Sequence, residues 1–238
     1  MNGVVAGITL RGMLGRRRAL LLVLLPATLL VLAVTITAFG RADEPVTAAL
    51  LHQYGLATLL PLITLVVTTG VLGTEIDDGS IVFLLSKPIP RPVIVQTKLA
   101  VAIGLTTVFA AVPVLVGGLI MVGGADGLAV GFGIGALAGV VAYSAIFLLI
   151  NVVTRHAVVA GLLYALVWES LIGGFVPGAR ELSVQQWALS LANWFMSSTF
   201  AASDVAPLAA LGLLAAATIG ATVLAGQRLR SLRIAGES

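Results

Sequence analysis

Apolar runs of about 20 residues, separated by short polar breaks, recur along the whole chain. The first is Ala19–Phe39, 21 apolar or small residues that include Pro26. Others cover about 55–74 (with Pro61), 99–122, 129–153, 157–175 and 206–225. An α-helix rising about 1.5 Å per residue needs about 20 such residues to cross the ~30 Å hydrocarbon core of a bilayer. The pattern therefore predicts an all-α integral membrane protein, with six transmembrane helices in a single domain over residues 1–238.

The breaks differ in character. Arg41–Tyr54 reads as a polar loop, Gly123–Gly127 as a tight turn and Thr154–His156 as a minimal loop. Residues 177–204 are too apolar for a solvated loop and too interrupted for a full span. Glu181, Gln185 and Gln186 are followed there by an apolar run from Trp187 to Trp194. Two readings fit: short helices that re-enter the outer leaflet with both tryptophans at headgroup level, or a surface helix anchored by them. Residues 2–18 place Val4, Val5, Ile8 and Met13 beside Arg11, Arg16, Arg17 and Arg18, which suits an interfacial helix; a plain basic tail is the alternative. The first span exceeds the 7–15 apolar residues of a secretory signal, so it is expected to stay in the membrane. Small residues recur every fourth position at Gly131, Gly135 and Gly139, and at Gly212, Ala216 and Gly220. Such stripes let helices approach closely, and packing within one subunit is favoured over a dimer seam.

Composition agrees with this reading. Hydrophobic residues make up 59% and charged residues 10%, and the mean hydropathy is +1.13. A soluble domain carries about 25% charged residues. Cysteine is absent, which excludes disulfides. Abundant Ala, Gly, Leu and Val with only two lysines fit a GC-rich bacterial source.

Charge then orients the spans. With six spans and both termini inside, the inner face carries Arg11, Arg16, Arg17, Arg18, Lys87, Arg91, Lys98, Arg155, Arg228, Arg230 and Arg233. Arg41 and Arg180 alone fall outside, and eleven to two is decisive under the positive-inside rule. The net charge of +3 reflects this placement and does not point to nucleic acid.

The longest inner break, residues 75–98, concentrates six charged side chains and the prolines Pro88, Pro90 and Pro92. Such an island needs water or protein around its charges and freed carbonyls. Asp77 and Asp78 suit a helix N-terminus, and Ile81, Val82 and Phe83 form an apolar anchor. Pro88 stops that helix, and Pro92 can start another towards Lys98. An exposed apolar turn on an inner loop calls for a partner.

Catalytic signatures are missing. No Gly-x-x-x-x-Gly-Lys-Ser/Thr loop cradles a triphosphate, and no Gly-x-Ser-x-Gly elbow presents a nucleophile. His52 and His156 fall on opposite sides of this topology, so they cannot form a paired metal site. Glu169 is the one ionisable residue well inside an apolar run. A carboxylate there costs about 2.5 kcal/mol or more and faces a bundle interior or a wet cavity. It is either a translocation group that contacts substrate or couples protons, or a structural carboxyl bonded to a neighbouring helix.

The stretch from Glu75 to Lys98 resembles the first cytoplasmic loop of the ABC-2 type permeases, the membrane subunits of ATP-binding-cassette exporters. The residues that carry the resemblance are Glu75, Gly79, Leu84-Leu85-Ser86, Pro88, Arg91 and Lys98. Six spans, a basic N-terminal helix and a semi-apolar segment before the last span extend it over nearly the whole chain. The resemblance implies a coupling helix that docks on a separate ATPase. Its coupling residues would be Glu75, Asp77, Asp78, Gly79, Ile81, Val82, Phe83, Leu85, Lys87, Pro88, Arg91 and Lys98. It further implies re-entrant outer helices carrying Trp187 and Trp194, and a second permease copy or homologue. Two ATPase subunits would hold the ATP and Mg, with no catalytic, cofactor-binding or metal residue in this chain. The expected setting is a bacterial plasma membrane with both termini cytoplasmic. The expected activity is export of a drug, antibiotic, lipid or other amphipathic substrate. The alternative is a proton-coupled secondary transporter using Glu169. That class predicts inverted repeats and further intramembrane carboxylates, and the sequence carries neither.

Overall fold

The computed structural model describes residues 16–73, 91–124, 127–154, 156–172, 180–197 and 203–231, and every regular element among them is helical. Helix α1 is Arg16–Ala38. Helix α2 runs without a break through Glu44–Leu50, a π-helical stretch Leu51–Leu59, Leu60–Thr68 and a second π stretch Thr69–Gly73. Helix α3 joins Arg91–Thr106, a π stretch Thr107–Ala111 and Val112–Val122. Helix α4 is Leu128–Val153, and α5 joins Ala157–Leu163 to a π stretch Tyr164–Ile172. A 3-10 turn, Arg180–Leu182, leads into α6, Val184–Trp194, and α7 is Pro207–Ser231.

Five of these helices, α1, α2, α3, α4 and α7, are long and apolar enough to cross a membrane. The fifth expected span, 157–175, is helical to Ile172 but counts among the described residues as a shorter apolar helix; its last three residues lie outside the described set. The expected interfacial helix also lies largely outside it, and Arg16, Arg17 and Arg18 belong to α1.

The expected polar loop 41–54 is a correction. Helix α2 already starts at Glu44, about ten residues ahead of the apolar run. Asp43 is its N-cap, accepting from the Val46 N–H at 3.1 Å, while Pro45 occupies the first turn, where no donor is missed. Thr47 and Ala48 are buried, so this polar-looking turn packs inside. Asp43→Ala is expected to cost about 1 kcal/mol, the usual value of such a cap. Hydrogen exchange should show faster amides in the first turn of α2 and unchanged ones in α4.

The π stretches have a local cause in two places. Pro61 and Pro113 follow Leu51–Leu59 and Thr107–Ala111, and each proline removes an N–H and crowds the carbonyl four residues back. The widened turns relieve that crowding. Thr58 Oγ1 accordingly donates to the Gln53 carbonyl five residues back, at 3.0 Å, whereas Thr28 and Thr64 in α-helical turns reach back four.

Helix α4 is the hub. It touches α2, α3, α5, α6 and α7, and buries Leu128, Phe132, Ala136, Val140, Tyr143, Phe147 and others along its length. Helix α1 lies outside, against the second half of α3, with Tyr54 of α2 donating to its Leu25 carbonyl at 3.1 Å.

Candidate functional site

At 11 residues α6 spans about 16 Å, about half the hydrocarbon thickness. It is nevertheless deeply enclosed: every residue from Val184 to Ala192 is buried. Its seat is the glycine stripe of α4. A Cβ on Gly131 would stand 2.6 Å from the Ala192 carbonyl oxygen, and one on Gly135 would stand 2.4 Å from that of Ala188. One on Gly139 would meet Leu60 Cδ2 at 2.6 Å and Ala188 Cβ at 3.5 Å. Only a backbone without side chains lets α6 lie this close, so this stripe packs within the subunit as expected. The second stripe does not. A Cβ on Gly212 or Gly220 meets nothing within 4 Å, so that face of α7 is open in the single chain.

The N-terminus of α6 ends on Glu169. Four donors converge on this carboxylate. Oε1 accepts from the Tyr164 hydroxyl at 3.2 Å and the Val184 N–H at 3.1 Å. Oε2 accepts from the Ser183 hydroxyl and from the Gln185 N–H at 3.4 Å. A carboxylate has about four acceptor positions, and here each is used. The negative group also sits at the positive end of the α6 dipole, where orphan N–H groups need acceptors. Ser183, the N-cap of α6, links the two parts: it donates to Glu169 and accepts from the Gln186 N–H at 3.4 Å. The π stretch of α5 helps to build the site. Its wider turn aligns residues five apart, which brings the Tyr164 hydroxyl to Glu169.

Glu169 is therefore bonded to a neighbouring helix. Around it lie further polar contacts. Gln185 Nε2 stands 3.1 Å from His52 Nε2 of α2, joining the α6 entry to a second helix. Trp187 is 7% exposed, and its indole N–H donates to the Glu181 carbonyl at 2.7 Å. Its ring packs in the bundle, and its one polar atom is satisfied within the chain. Trp194 is 53% exposed. At the other end of α6, the Ser190 hydroxyl donates to the Val205 carbonyl at 2.6 Å, tying α6 to the start of α7.

A separate contact joins α2 to α3. Lys98, 1% exposed, donates from Nζ to the Val71 carbonyl at 2.7 Å. Lys98 thus fastens together the helices that flank 74–90. Of the other expected coupling residues, Glu75, Asp77, Asp78, Gly79, Ile81, Val82, Phe83, Leu85, Lys87 and Pro88 lie outside the described residues.

Ser183 was detectable in the sequence and missed. Ser183-Val-Gln-Gln186 is a capping-box pattern, with Ser at the N-cap and Gln three residues on. Nothing in the sequence marks Tyr143, Tyr164 or His52 as neighbours of Glu169 or of its partner Gln185, since their proximity comes from helix packing. Among the described residues, no cluster of three or more His, Cys, Asp or Glu side chains could hold a metal ion. No protein-family model matches the chain, and no curated relative matches its sequence.

Proposed function

We propose that this chain is the permease subunit of an ATP-binding-cassette exporter of the ABC-2 type, working as a pair with a second permease and powered by separate ATPase subunits. The observation that carries the reading is residues 75–98: charged, punctuated by prolines, and bearing the Ile81-Val82-Phe83 anchor between two long apolar helices. The Lys98–Val71 tie supports it, because a push on the intervening segment is then delivered to α2 and α3 together. The short buried α6 ahead of α7 supports a re-entrant element near the outer surface, with α4 as its seat. The engagement of Glu169 by four donors favours a positioning role over proton coupling.

The test is co-purification of the permease with its nucleotide-binding partner. Changing Ile81, Val82 and Phe83 together to Asp should reduce association at least tenfold while leaving the permease monodisperse. A triple variant that still binds the ATPase and supports ATP-driven transport would remove this assignment.

A further inference from the structure

On the outside of the bundle a cleft of about 240 Å³ lies between α3 and α4. Its floor is buried at Ala111 and Gly133, while Val112, Val130 and Leu137 form its lips, each 45–47% exposed. The backbone leaves this space in two ways. Thr107 and Ala111, the ends of the π stretch of α3, both line the cleft. Gly133 of α4 has no side chain, and a Cβ there would already stand 3.0 Å from Cδ1 of Leu115 on the facing wall. No polar atom opens on the cleft, so water, which needs polar partners, has nothing to bind there. Both walls belong to helices long and apolar enough to cross a membrane. Measured from Leu128 at the start of α4, Val130 lies about 3 Å and Leu137 about 14 Å along the axis. That range fits within one leaflet, about half of the ~30 Å hydrocarbon core, on the side where α3 ends and α4 begins.

We propose that this cleft is a binding site for one acyl chain of a membrane phospholipid from that leaflet. Size selects this occupant over a second copy of the chain. A helix with its side chains is about 10–12 Å across, and a stable contact between two chains uses about 20–30 residues a side. Only eight residues line this cleft. Its volume also lies below the about 300–1,000 Å³ of pockets that enclose a whole drug-sized molecule. A single hydrocarbon chain fits, and it matches walls that offer no hydrogen bond. A chain lying in the cleft touches α3 on one side, α4 on the other and the floor beneath. Ordinary lipid touches a convex helix surface on one side only, so the cleft holds its chain by more dispersion contacts. The lipid is recognised by its chain, and its headgroup stays at the membrane surface. This site rests on the membrane-crossing helices and not on the transporter reading.

The test uses the full-length chain in phosphatidylcholine vesicles that carry a phospholipid with a photoreactive diazirine on one acyl chain. The protein is extracted into detergent, washed free of loosely held lipid and only then illuminated, so that adducts report lipid that stays bound. Adducts should map to residues 107–115 and 130–137, with equal yield for choline and glycerol headgroups. Val112→Phe, which fills the cleft from its lip, should lower the yield at least fivefold. Val108→Phe makes the same change at a 57% exposed position of α3 that does not line the cleft, and should leave the yield unchanged. If Val112→Phe is not monodisperse by size exclusion, Val130→Phe fills the cleft from the opposite wall and should give the same loss. No adduct after washing would mean ordinary surrounding lipid only, and overturns the site. So does an equal yield in the cleft-filling and control variants, or a yield confined to one headgroup. A parent that is dimeric by native mass spectrometry without adduct, and monomeric in Val112→Phe, would make the cleft a seam between copies and overturn the site as well. The triple Ile81, Val82 and Phe83 variant should keep the parent's adduct yield, so failure here and failure of ATPase binding are read separately.

Discussion

Gly135→Val is expected to lower the thermal midpoint of the purified chain by about 6–12 °C, while Gly212→Val moves it by no more than about 2 °C. Both replace a glycine of a small-residue stripe within a long apolar helix, so propensity and hydropathy treat them alike. The surroundings differ. At Gly135 the first added carbon already stands 2.4 Å from the Ala188 carbonyl oxygen, and a main-chain atom of a buried helix cannot rotate away. Overpacking of this kind costs typically 1–3 kcal/mol, and the rigid obstacle places Gly135 at the upper end. A chain of this size loses about 2–4 °C per kcal/mol. At Gly212 a new side chain meets nothing within 4 Å. Equal shifts in the two variants, read by a fluorescence melt in detergent, would mean that α6 is not seated on the α4 stripe.

The second large effect is expected at Lys98. Lys98→Met should destabilise the chain by about 2 kcal/mol, within the range for a hydrogen bond from a charged donor. The Val71 carbonyl, among the last described residues of α2, loses a charged donor that no methionine can replace. Hydrogen exchange should quicken in the last turn of α2 and the first turns of α3, and the α4–α6 contact should keep its protection. If the segment between these helices receives motion from an ATPase, the same variant should also slow ATP-driven transport about tenfold, with ATPase binding retained. A variant that is as stable as the parent and transports at its rate would reduce the lysine to a topology anchor.

The regions read less well from sequence have identifiable physical causes. The start of α2 was obscured because Glu44, Thr47, His52 and Gln53 lower the local hydropathy, although Asp43 and Pro45 are ordinary helix-start residues. The role of α6 was ambiguous because an 11-residue helix carrying Gln185, Gln186 and Ser190 looks half-exposed. Its polar side chains are buried because partners reach them from elsewhere: His52 for Gln185 and the Val205 carbonyl for Ser190. Sequence spacing cannot report pairings across such separations. Glu169 stood out by its rarity in an apolar run, but its bonding to α6 depends on Ser183, 14 residues on.

Hydropathy by itself determined that this is a helical membrane-type chain of six apolar runs, of which five are, among the described residues, helices long and apolar enough to cross a membrane. It could do so because a helix in lipid must bond its own backbone, which leaves side-chain polarity as the main variable along the chain. Residue type also determined which groups would be conspicuous: one buried glutamate, two stripes of small residues and a charged segment holding three prolines. Tertiary structure alone decided what each of them meets. It seated α6 on Gly131, Gly135 and Gly139, left Gly212 and Gly220 open, and brought four donors to Glu169. The physical reason is that close approach and hydrogen-bond geometry are properties of pairs of helices. Either stripe of small residues permits such an approach, and only packing determines which of them is used.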